Sequence, residues 1–103
     1  MRLIILAPAE AEFRQAVAWY RDHDPRVANR FADEARNTLQ LIEEFPQIGS
    51  RVPEIDDPSV RRMPIHTFPY HVVFVVLDDR IDVVAFAHKR RRPRYFIRRL
   101  RLT

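Results

Sequence analysis

Cysteine is absent from the sequence, which excludes a disulfide scaffold, thiol catalysis and any zinc site built on thiolates. Glycine occurs once, at Gly49, so no glycine-rich loop can cradle a nucleotide phosphate. Long apolar runs are missing too. Leu3 to Ala7 is far too short to span a bilayer or to form a signal core, and a cytoplasmic protein without membrane contact is expected. Hydroxyl nucleophiles are confined to Thr38, Ser50, Ser59, Thr67 and Thr103, none in a nucleophile-elbow context. The four histidines, His23, His66, His71 and His88, include no i, i+4 helical pair and no carboxylate at ligand spacing, so neither a metal nor a cofactor is expected.

What is present fits one compact domain over residues 1–103: 47% hydrophobic and 31% charged residues can build a core and a soluble surface. The formal charge of +4 conceals a division. Residues 88–103 carry eight basic side chains and no acid, which leaves ten basic and fourteen acidic groups before them. An anionic body of −4 therefore bears a tail of +8, and that asymmetry points to an acidic or polyanionic partner. Seven of the eight are arginine, whose planar fork suits carboxylate and phosphate. Tyr95, Phe96, Ile97, Leu100 and Leu102 lie among them, so the segment docks on something, either its own body or a partner.

Periodicity supplies the elements. Arg2 to Leu6 reads as a strand buried on both faces. Pro8 suits a helix start, and Ala9, Phe13, Ala16, Val17 and Tyr20 form one apolar stripe to about Asp22. His23-Asp24-Pro25 is a break and a restart, with Asp24 as cap, Pro25 in the first turn, and His23 solvated. Ala28, Phe31, Ala35, Leu39 and Ile42 carry a second stripe to Phe45-Pro46, predicting an antiparallel helical hairpin. Residues 46–59 read as a loop. Val60 to Ile65 is a strand that Pro64 demotes to an edge or bulge. Tyr70 to Leu77 is the central strand, buried on both faces, and Asp78-Asp79 is a tight turn in which Asp tolerates left-handed backbone. Ile81 to Ala87 completes a hairpin. The expected class is α+β, in the order β-α-α-β-β-β, with the hairpin packed on a mostly antiparallel sheet and a basic C-terminal tail.

Among candidate functional groups, His88 ends a strand just before the basic run, where a histidine beside arginines can act as acid or base on a phosphodiester, although a strand-end histidine without catalytic duty is the favoured reading. His71 opens the central strand, and a satisfied hydrogen-bonding role is its default. Glu43-Glu44 diverge on a helix and form no dyad. Trp19 lies at the margin of the first stripe, as peripheral packing or as an interface anchor. Arg61 and Arg62 point to opposite sheet faces, so only one can join the tail arginines.

Several fragments in order resemble the ParE/RelE superfamily of bacterial type II toxin–antitoxin toxins, the ParE branch in particular. They are Ala18-Trp19-Tyr20, Asp24-Pro25-Arg26-Val27-Ala28, Arg30-Phe31, Phe45-Pro46-Gln47-Ile48-Gly49 and Val60-Arg61-Arg62-Met63. Phe68 to Phe74 and Val83 to Pro93 complete the series. The resemblance implies the same β-α-α-β-β-β fold. RelE-like members are ribosome-dependent mRNA endoribonucleases, whereas ParE-like members inhibit DNA gyrase and are neutralised by a ParD-like antitoxin. Aligned on Tyr70 and Lys89-Arg90, the two strand lysines of the nuclease pattern fall on Arg62 and Pro64. Its central-strand arginine falls on His71, its tail arginine on Arg90 and its tail tyrosine on Phe96, with Tyr95 one residue early. Proline and phenylalanine cannot supply those roles. The resemblance thus implies a gyrase-inhibiting binder. The alternative ribonuclease would draw on Arg62, His71, His88, Arg90 and Tyr95. Contact with target or antitoxin is expected from Arg62, His88, Lys89, Arg90 and Arg91, together with Arg92, Arg94, Tyr95 and Trp19.

Overall fold

A computed structural model describes residues 1–100; Arg101, Leu102 and Thr103, counted above in the basic tail, lie outside the described residues. The elements are β1 (Arg2–Ile5), α1 (Ala7–His23), α2 (Pro25–Glu44), β2 (Ser50–Arg51), β3 (Val60–Pro64), β4 (Tyr70–Val76) and β5 (Arg80–His88). A 3₁₀ segment follows over Pro93–Leu100. The sheet order is β1-β5-β4-β3-β2, with β1 parallel to β5 and every other pairing antiparallel. This is the expected α+β class, with β4 in the centre.

The hairpin forms where the sequence breaks it. The Asp24 carboxylate accepts a hydrogen bond from Arg26 N–H at 2.9 Å, capping α2 while Pro25 occupies the first turn. The bonds that Arg26 donates hold the Asp24 carboxyl below its ordinary pKa. Phe31, Ala35 and Ile42 are fully buried and join Ala9, Ala16, Val72, Phe74 and Phe86 in one core between the helices and the sheet. A second core lies on the opposite sheet face, where Val52, Val60, Val73, Val75, Val84 and Ala87 pack around Phe96 of the 3₁₀ segment. The tail therefore docks on its own body. It covers the face of β4 that the hairpin cannot reach.

Several expectations are corrected. β1 is an edge strand with Arg2 exposed and Leu3, Ile4 and Ile5 half-buried, because only β5 pairs with it. The 46–59 segment contains the short β2, which pairs Ser50 with Arg62 and Arg51 with Arg61. Pro64 keeps its place in β3 opposite His71, beyond the reach of β2, so its missing N–H interrupts no ladder on the outer side. The Asp78-Asp79 turn forms, but without left-handed backbone. Among the described residues the positive φ belongs to Thr67, at 65° in the β3–β4 loop. Gly49 is required by close approach rather than by φ: a Cβ there would meet Phe74 Cζ at 2.8 Å and the Arg62 carbonyl oxygen at 2.9 Å.

One irregularity positions the site. The β4–β5 register passes from Val73↔Ala85 to Phe74↔Val83, leaving Val84 as a bulged extra residue. On the other side, β1 pairing ends at Ile5↔Val83, so the Val84 carbonyl and Phe86 N–H lack a strand neighbour. Side chains satisfy both. Glu12 of α1 accepts from Phe86 N–H at 3.1 Å, and Arg99 donates to the Val84 carbonyl at 3.0 Å and to Glu12 at 2.9 Å.

Candidate functional site

The basic turn after β5 is built by local hydrogen bonds. Lys89 N–H donates to the Pro69 carbonyl at 2.9 Å, Arg91 N–H to the His88 carbonyl at 3.0 Å, and Arg90 N–H to His88 Nδ1 at 3.1 Å. Its backbone is pinned while the side chains of Lys89, Arg90, Arg91 and Arg92 remain exposed, as does Arg94 beyond it. The Arg91 guanidinium lies 3.6 Å from the centroid of the Tyr95 ring, a cation–π contact that ties turn to tail.

The residues on which the alternative ribonuclease would draw are brought only partly together. His88 stands opposite Tyr70, their rings 5.2 Å apart and edge to face, on the helix side. His71 stands opposite Ala87 on the tail side, with Arg62 on the same face of the neighbouring strand. A cavity of about 20 Å³, with room for about one water, is bordered by Arg62, His71, Lys89 and Phe96 and also by His88 and Arg91, so both histidines reach its edge. Tyr95 is no closer to acid–base work. Its hydroxyl is buried beside the Glu12 carboxylate without a well-formed hydrogen bond, and burial, then the Glu12 charge, push its pKa far up. Arg90 is exposed on the turn, and neither it nor Tyr95 borders the cavity that Arg62, His71 and His88 share, so the five groups do not all converge.

His71 Nδ1 is likewise buried without a partner. Burial, then the positive charges of Arg62 and Lys89, hold its pKa below the ordinary 6.5. The unfolded chain therefore binds a proton at His71 more readily than the native protein does. Stability from this group is fully present above pH 6.5 and is lost as pH falls from there through the native pKa. Urea denaturation at pH 7.5 and pH 5 is expected to reveal this loss, and His71→Gln to remove that part of the pH dependence.

Two grooves open on the helix side. The aliphatic one, about 180 Å³, lies along the helices and is walled by Ile5, Phe13, Ala35 and Leu39 with Arg36 at its rim. The aromatic one, about 410 Å³, runs between the end of α1 and the β5 turn, walled by Trp19, Tyr20, Tyr70 and Phe86 with His88 and Arg91 at its mouth. Trp19 is 57% exposed and stacks on His23 at a centroid separation of 4.1 Å. His23, expected to be merely solvated, is thus held in that stack, and its Nδ1 lies 2.8 Å from the Trp19 carbonyl. Neither the aromatic groove nor the bridging role of Glu12 was visible in the sequence. The i, i+4 spacing of Trp19 and His23 was the available signal for the first; Glu12 read only as an acid suited to a helix start.

Among the described residues no helix is long and apolar enough to cross a membrane. In comparison with known proteins, the family described as "ParE toxin of type II toxin-antitoxin system, parDE" matches residues 3–93. No curated protein matches the sequence. A solved structure of the chromosomal ParDE toxin–antitoxin system from P. aeruginosa is similar in fold, with a TM-score of 0.72 and 18% identity. That match covers 85% of this chain and 95% of the other. With nearly the whole sheet and hairpin inside the family match, this chain belongs to the ParE toxin family of type II toxin–antitoxin systems.

Proposed function

We propose that this protein arrests growth by binding and inhibiting DNA gyrase, and that a ParD-like antitoxin neutralises it. The observation that carries this reading is the incompleteness of the would-be nuclease set. Arg62, His71 and His88 border one small cavity, but Arg90 and Tyr95 do not, and the Tyr95 hydroxyl is buried. General acid–base cleavage needs proton donor and acceptor within hydrogen-bond reach of one phosphodiester, whereas a binder needs only an exposed, preorganised surface. The pinned turn with Lys89, Arg90, Arg91 and Arg92 is such a surface. Membership in a toxin–antitoxin family implies an antitoxin partner. The aliphatic groove beside the hairpin suits the apolar face of an amphipathic segment that folds as it binds; with Glu10 as well as Arg36 in its lining, it is the basic tail and not the groove that favours an acidic segment.

The test is a supercoiling assay with purified toxin and gyrase. Loss of supercoiling, with accumulation of stalled cleavage complexes, is the expected outcome. Arg90→Gln/Arg92→Gln should weaken inhibition at least tenfold while leaving the fold intact, since both side chains are exposed. Unaffected supercoiling together with new cuts in translated mRNA, mapped by primer extension, would instead establish the ribosome-dependent endoribonuclease.

A further inference from the structure

We infer that the aromatic groove between α1 and the β5 turn is a binding site for an unpaired base of single-stranded DNA, whose phosphates follow the basic turn. The inference rests on the reading of that turn as the target-binding side and adds the chemistry of what is bound.

Three features of the groove select an unpaired base with its phosphates, and the proposed DNA gyrase target favours DNA over RNA. Its walls are largely ring faces and edges: Trp19, Tyr20, Tyr70 and Phe86 offer π-surface, with Ala16 and Pro69 as the aliphatic contributions. A hydrophobic helix prefers the other groove, with Ile5, Ala35 and Leu39. Its electrostatics favour an anion at one end. Glu12, the acid among its lining residues, already binds Arg99 and Phe86 N–H, while the exposed cations Lys89, Arg90 and Arg92 adjoin Arg91 at the mouth. Its outermost ring is available. Trp19 is 57% exposed and backed by His23, so a base can extend an existing stack without rearrangement. A ring platform leading into a basic track is the general solution for single strands, because every base has a π-face and stacking needs it unpaired.

The experiment uses the only tryptophan in the chain, Trp19, as a built-in probe. Titrating purified toxin with a short oligo(dT) is expected to quench its fluorescence saturably, with affinity falling as salt rises. Trp19→Ala, followed by anisotropy of labelled oligo(dT), should lose about tenfold in affinity, the order expected for one stacked base. Arg90→Gln/Arg92→Gln should flatten the salt dependence but keep the quenching at saturation. A duplex of the same length should leave Trp19 unquenched. The inference is overturned if duplex quenches as well as single strand, or if Trp19→Ala binds oligo(dT) like the parent. It is also overturned if a glutamate-rich peptide saturates the quenching at lower concentration, or if oligo(U) binds tenfold tighter than oligo(dT). The gyrase assay on the same preparation separates the two readings: inhibition without oligo(dT) binding sinks the groove assignment alone, and oligo(dT) binding without inhibition sinks the gyrase target alone.

Discussion

Removing residues 94–103 is expected to unfold the protein rather than merely disarm it. The 3₁₀ segment brings Phe96, only 2% exposed, onto Val52, Val60, Val73 and Ala87, and without it that sheet face would meet water. Phe96→Ala alone should cost about 3–5 kcal/mol through lost burial and the cavity left behind. A domain of this size has about 5–15 kcal/mol of total stability, so losing the whole segment, with the Arg99 bonds, removes most of it. Circular dichroism through a urea titration checks the expectation: the truncated chain should lack a cooperative transition. Charge and packing are then separable. Arg94→Gln/Arg98→Gln alters exposed positions, which change stability by roughly 0.5 kcal/mol or less each. Reduced growth arrest in that variant at unchanged urea midpoint assigns the exposed arginines to the target. A truncated chain that unfolds at the parent's midpoint would remove the tail from the core.

That the tail belongs to the fold was half legible in the sequence. Tyr70 to Leu77 reads as a strand buried on both faces, and such a strand needs two covers. The helical hairpin is one, and the tail, with Tyr95 and Phe96, is the remaining segment with adjacent aromatic residues to be the other. The stripes of α1 and α2, the Asp24 cap and the place of β4 followed from spacing alone, because local periodicity and capping chemistry suffice for them. Which face each histidine occupies did not. His71 and His88 lie on different strands, and their relation depends on the pairing Tyr70↔His88, a long-range register that no local pattern encodes. The edge position of β1 was hidden for the same reason: an aliphatic run looks alike in a central strand and in an edge strand beneath a helix. The aromatic groove exists only once the end of α1, the β3–β4 loop and the β5 turn are brought together, and the aliphatic one only once β1, α1 and α2 are, which is tertiary information throughout.

Glu12→Ala is expected to be the most damaging single change at a charged position. Glu12 and Arg99 are largely withdrawn from solvent, with side chains 14% and 21% exposed, and both serve the stretch of β5 that β1 fails to cover. Deleting the carboxylate strands the Phe86 N–H and leaves Arg99 beside the Val84 carbonyl without its counter-charge. We expect roughly 2–4 kcal/mol, somewhat below the loss on breaking a fully buried pair because both groups keep some water. Arg99→Ala should cost less, since Glu12 retains Phe86 N–H, and Glu12→Gln least, because its amide oxygen still accepts one bond. A double-mutant cycle from urea midpoints should return a coupling above about 1 kcal/mol between Glu12 and Arg99, and hydrogen exchange should show Phe86 N–H losing protection in Glu12→Ala. A coupling near zero would reduce the pair to an ordinary surface contact. The consequence reaches the site as well. Arg99 and the Tyr95 ring that seats Arg91 lie on the same 3₁₀ segment, so a variant that loosens Arg99 should also free Arg91 from the mouth of the aromatic groove and weaken binding there before global unfolding begins.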